Sequence, residues 1–300
     1  MATPQRSRAH RSSSSRHRSP RHVEAVLDPT WQNPYVPSSD ERDAHTDAVR
    51  RFALRRKRTQ MIVFTVLVVA LLASTVVSPW LAVAAVVIAA AAAWDVRRFL
   101  TSFERRGATL GAVLLGEFPA GGTLKDRQRL VTVVDRLTAT FGVDGVSAFI
   151  VEDPGYNAAL APNGAGWSLF VTSALMRDFE LIELEGVVAH CLARQRLGVL
   201  ARQSASAMIN VTASLRRELA GRGLTYRADE VAAAAIRYPL GLAGALRKCA
   251  RQVVPASSYF ATANYGRERF IWFDVWSERP APDLADLDDV ELRALALEEW

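Results

Sequence analysis

Two long apolar stretches stand out against an otherwise mixed chain. Residues 61–77 carry no charge, and neither do residues 80–94, which are mostly Ala and Val. Each is slightly shorter than the ~20 residues a helix needs to cross a bilayer. Flanking residues extend them to 59–78 and 80–99, with Asp95 and the nearby arginines snorkelling to the polar side. Ser78-Pro79 breaks the pattern between them, so the pair predicts a two-helix hairpin. Ahead of it, Ala44, Ala48 and Phe52 mark a helix that runs through Arg55-Arg56-Lys57-Arg58 into the apolar sequence. Behind it, Leu130, Val133, Val134, Leu137 and Phe141 recur at spacings of three and four, an amphipathic helix stopped by Gly142. Residues 146–151 and 167–172 read as strands, with Asp153-Pro154-Gly155 a turn after the first. Helices are expected from 182 to at least 200, and over 204–220, 227–237 and 239–252. No internal repeat is visible.

Charge changes this picture at the ends. The net charge is +6, but residues 1–59 hold thirteen Arg or Lys against six Asp or Glu, so the rest of the chain is nearly neutral. The basic pI thus describes a tail and not a basic domain, which argues against nucleic acid as a partner. Residues 1–40, with Arg11-Ser12-Ser13-Ser14-Ser15-Arg16 and Ser19-Pro20, cannot build a core and read as a disordered basic tail. The other reading is a basic arm touching anionic lipid or nucleic acid. Basic residues flank both apolar stretches while the turn between them has none, so both ends are expected on the cytoplasmic side. The Ala- and Arg-rich composition suggests a GC-rich bacterial genome, hence a bacterial inner membrane. The last thirty residues hold nine acidic and two basic residues. The expected layout is therefore a tail (1–40), a juxtamembrane helix (41–58), a transmembrane hairpin (59–99), a cytoplasmic domain (100–270) and an acidic segment (271–300).

Candidate chemistry concentrates in one helix. Of five histidines, only His190 lies beyond residue 45. It sits in His190-Cys191-Leu192-Ala193-Arg194, which is placed like the His-Glu-x-x-His of metallopeptidases. Other segments follow in matching order: residues 149–158 with their Asn157-Ala158 turn, the strand 169–175, Tyr226-Arg227-Ala228-Asp229, and the helix 239–248 beginning at Pro239. Together they resemble the HtpX-like family of membrane zinc metallopeptidases, which includes the CAAX prenyl endopeptidases, over about residues 105–255. The resemblance implies an α+β fold, a mostly helical zincin-type domain with a small sheet behind the hairpin. It also implies that Ser168, Leu169, Phe170, Val171 and Thr172 form an edge strand along which a peptide could dock.

The same resemblance places the two helix ligands on His190 and Arg194, the general base on Cys191 and the third ligand on Thr225. Three of these four differ in chemical type from what zinc catalysis needs. Arg194 cannot be deprotonated. Cys191 points about 100° away from His190 on a helix and lies in an apolar stripe with Leu184, Val187 and Val188, with no base beside it. The expectation is no cofactor and no hydrolysis. The vacated site would be filled by an ion pair between Arg194 and Asp229, or Glu230 with a one-residue slip. Three readings follow: a bilayer-anchored pseudopeptidase that binds a membrane protein or a peptide, a divergent zinc metallopeptidase with other ligands, or a lipid-surface protein acting mainly through its basic arm. Metal content separates the first two.

Overall fold

The computed structural model describes residues 33–76, 78–209, 212–221, 223–274 and 289–300. Most of the tail expected over 1–40 and the middle of the acidic C-terminal segment lie outside the described residues. Helix α1 (Ser39–Ala73) begins where the Ser38 hydroxyl accepts the Glu41 N–H at 3.1 Å. The juxtamembrane helix and the first apolar stretch are one continuous element, because nothing between Asp40 and Ala73 breaks a helix. A short 3₁₀ turn, Ser74–Val76, and Pro79 lead into α2 (Trp80–Ala108). Both helices are long and apolar enough to cross a membrane. Their apolar windows are 0% and 6% buried, whereas the core helices of a soluble protein would be covered. Lys57 joins Asp95 at 2.8 Å across the polar end of the pair.

A helical domain with a small sheet follows. After α3 (Leu110–Glu117), α4 (Leu124–Phe141) starts in a capping box between Thr123 and Asp126 and stops at Gly142, whose φ of 61° is left-handed. All five of its periodic apolar residues are buried. The sheet comprises β1 (Val146–Val151), β2 (Ala158–Asn163) and β3 (Gly166–Thr172), in the order β1-β3-β2. β1 runs parallel to β3 with Val146 opposite Trp167, and β2 runs antiparallel to it with Ala158 opposite Val171.

This order corrects the expected docking edge. Residues 168–172 belong to the central strand, bonded on both sides, and every one of them is buried. An edge strand needs one unpaired side, and β3 has none along this stretch. The edge strands are β1 and β2, and the sequence reading passed over β2. Pro162 within it suits an edge, since it lacks a ladder donor. Its tight link to β3 pairs Asn163 with Gly166 and uses Gly164 at φ 63°.

The remaining helices are α5 (Ser173–Asp178), α6 (Leu181–Arg196), α7 (Leu200–Met208), α8 (Ala213–Ala220), α9 (Leu224–Ile236), α10 (Pro239–Arg251), α11 (Tyr265–Glu268) and α12 (Val290–Glu298). The helix expected from 182 through 200 ends at Arg196, because Gly198 takes a left-handed φ of 79°. Helix α6 is the axis of the core. From Glu183 to Arg194 only Glu185 escapes burial, and α4, β2, α9 and α10 pack around it. Contact with α10 is at backbone range: a Cβ on Gly186 would sit 2.7 Å from the Leu242 Cα, and one on Gly241 would sit 2.6 Å from the Ile182 oxygen. Phe273, Ala294 and Leu297 share this core, so the C-terminal segment packs into it.

Candidate functional site

The site lies where α6, α9, α12 and the chain at 270–274 converge. His190 faces inward from the middle of α6 and is 0% exposed. Its Nδ1 lies 2.7 Å from the Asp229 Oδ1. Asp229 is one turn beyond Thr225 on α9, on the same face, and both are buried. Arg293, from α12, is also 0% exposed. Its Nε donates to the Asp229 Oδ2 at 2.7 Å and its Nη2 to Oδ1 at 2.9 Å, a bidentate fork. Its Nη1 donates to the Phe273 carbonyl at 3.1 Å, and the guanidinium lies over the Phe273 ring. The same ring meets His190 edge-on, with centroids 5.2 Å apart.

Electrostatics settles the protonation states. Burial pushes the Asp229 carboxyl up, but Arg293 and His190 outweigh it and hold it below its ordinary value. The carboxylate is ionised. Burial drives the His190 pKa down to about 4, with the two neighbouring guanidiniums adding to that and Asp229 opposing it. The imidazole is therefore neutral at pH 7, and its one proton belongs on Nδ1, facing the carboxylate. Nε2 is left as a bare acceptor, and it has no hydrogen-bond partner. The neutral imidazole is sealed from solvent as it stands.

Arg194 is turned elsewhere than the expected pair with Asp229. It is also fully buried, and its Nε and Nη2 donate to the Gln203 Oε1 at 2.9 and 2.5 Å. Nη1 donates to the carbonyls of Ile271 at 2.6 Å and Trp272 at 3.2 Å, and Nη2 also to that of Phe270. Among the described residues, Asp229 pairs with His190 and Arg293 and not with Arg194. Glu230 instead pairs with Arg227, at 3.1 Å on the outer face of α9. The cation was expected in the right neighbourhood but on the wrong residue. Arg194 ties α6 to α7 and to the turn at 269–271, and Arg293 supplies the charge next to Asp229.

The two cysteines offer no reactive thiol. Burial lifts the Cys191 pKa to about 12 and raises that of Cys249 well above its ordinary value. Zinc, which the family resemblance would require, does not fit this donor set. His190 offers one free nitrogen, Nε2, but both Asp229 oxygens are taken by Arg293 and His190, and two guanidiniums flank the position. Among the described residues, no three His, Cys, Asp or Glu side chains gather in a ligating group.

The sequence reading missed Arg293, Gln203 and Phe273. A signal for Arg293 was present: it lies between Val290, Ala294 and Leu297, a cation on the apolar face of a short helix. The chain matches no family model and no curated protein. Function must therefore be read from these side chains.

Proposed function

We propose that this chain is a membrane-anchored protein with an HtpX-like metallopeptidase domain that does not hydrolyse peptides and acts by binding a protein or peptide. The anchor is the α1–α2 hairpin, seated in a bacterial inner membrane with both termini in the cytoplasm. The basic residues on either side of an uncharged turn support that orientation. One observation supports the absence of catalysis: His190 is sealed in a buried cluster with Asp229 and Arg293, whereas a catalytic metal needs an open position for water. An arginine forked onto the carboxylate that holds the histidine puts a fixed monovalent cation there in place of a divalent one. It can bridge helices and cannot polarise a carbonyl as a Lewis acid does.

The test uses the full chain purified in detergent. The expected result is substoichiometric zinc and no chelator-sensitive cleavage of casein or of an unfolded membrane protein. Stoichiometric zinc together with such cleavage would establish the divergent peptidase instead. Reporter fusions at Pro79 and after Trp300 test the orientation, and an extracytoplasmic signal from the C-terminal fusion would reject it.

A further inference from the structure

We propose that the cleft between α1 and α2 is a binding site for one anionic phospholipid of the leaflet nearest the domain. The proposal rests on the reading of α1 and α2 as membrane spans. The cleft has a volume of about 660 Å³, within the ~300–1,000 Å³ of small-molecule sites. Phe64 and Val68 of α1 form one wall, and Ala89 and Ala93 of α2 leave the space opposite. Its apolar part on α1 extends from Met61 to Val69. Eight helical rises make that about 12 Å, close to the ~15 Å of hydrocarbon in a single leaflet. The cleft therefore stops near mid-membrane and matches the acyl portion of one lipid.

The polar end fixes the headgroup. Arg97 lies one turn beyond Ala93, and Arg50 lies further out on α1, and both line the cleft. Both are exposed, and neither has an ion-pair partner among the described residues. Among the described residues, no Asp or Glu lines the cleft. The nearby carboxylate of Asp95 is already engaged by Lys57 at 2.8 Å and by Gln60 at 3.1 Å. Guanidiniums above an apolar channel complement a phosphodiester with net negative charge, because planar guanidinium matches phosphate geometry. Arg97 leads, since Arg50 also borders a surface with Asp43 and Asp47. A zwitterionic headgroup would bring its own ammonium against Arg50.

The experiment is native mass spectrometry of the full chain, extracted in mild detergent and titrated with phosphatidylglycerol or phosphatidylcholine of equal chain length. The expected result is one retained phosphatidylglycerol and at least tenfold weaker retention of phosphatidylcholine. Arg97→Gln and Arg50→Gln should each weaken phosphatidylglycerol about fivefold, given the worth of one basic residue at a lipid surface. Arg58→Gln, which removes a basic residue lining a separate surface on α1, should leave it unchanged. Ala93→Leu fills the cleft without altering charge. Ala93 is exposed, so helix pairing should tolerate the larger side chain, and phosphatidylglycerol retention should drop. Equal retention of both lipids, an effect of Arg58→Gln as large as that of Arg97→Gln, or no effect of Ala93→Leu would each overturn the site. Carbonate extraction of membranes tests the anchor separately: a chain released by carbonate refutes the spans, while one retained but indifferent to headgroup refutes the lipid site alone.

Discussion

Removing the Arg293 guanidinium tests the central feature of the domain. Arg293→Ala leaves the Asp229 carboxylate in the core with, among the described residues, only the neutral His190 side chain beside it as a hydrogen-bond partner. Breaking a buried pair from one side costs about 3–5 kcal/mol, and the lost bond to the Phe273 carbonyl adds about 1 kcal/mol. Part is recovered because His190 can then charge: Arg293 is one of the groups that hold its pKa down. The net expectation is about 3–5 kcal/mol, a large share of the ~5–15 kcal/mol of a typical domain. A second ion pair that ties α12 to the domain, this one from α10, provides the contrast. Arg247 forks onto Glu298 of α12 at 2.6 Å through both nitrogens, but in solvent reach, so Arg247→Ala should cost under about 1 kcal/mol. The assay is urea unfolding of the full chain in detergent, followed by tryptophan fluorescence, to which the buried Trp272 beside Phe273 contributes. A double-mutant cycle with Asp229→Ala should give a coupling of at least about 2 kcal/mol. Equal small losses for Arg293→Ala and Arg247→Ala, or additive behaviour of the Arg293 and Asp229 variants, would refute the claim that the buried fork holds α12 in place.

Arg194→Lys should destabilise by about 2–4 kcal/mol, because one ammonium cannot serve Gln203 and the carbonyls of residues 270–272 together; stability equal to the parent chain would show those bonds to be dispensable. Stability should fall from pH 5 to pH 7 and level off above that. Burial raises Asp274 and Glu268 to about 7, so the folded state keeps two protons that the unfolded chain has released above its ordinary carboxylate range. His190, lowered to about 4, works the other way, but only up to its ordinary value of 6.5. Asp274→Asn removes one of the two opposing carboxyls and should gain about 3 kcal/mol at pH 8 relative to pH 5; parallel pH profiles for the variant and the parent would exclude Asp274 as the source.

Local structure was legible wherever one segment's own pattern decides it. The apolar stretches without charges marked two exposed helices. Spacing in residues 130–141 marked the buried face of α4, and Gly142 its end. The run 146–151 matched β1 residue for residue. These features depend on side-chain period, capping and φ, which neighbours in sequence set among themselves. His190, on the apolar face of α6, is buried and bonded to Asp229.

Partner choice could not be read in the same way. Whether residues 168–172 lie at an edge depends on whether β2 returns beside them, and β2 carries a proline that hides its strand character. Whether Asp229 meets Arg194 or Arg293 depends on where α12 docks, 64 residues along the chain from Asp229. Arg194 sits one turn from His190, yet the carbonyls of residues 270–272 and Gln203 reach its guanidinium first. A buried cation must be satisfied, and which acceptors satisfy it is fixed by the packing of distant segments. Periodicity determined that this helix would be buried; only the tertiary structure decided which arginine would neutralise its carboxylate neighbour.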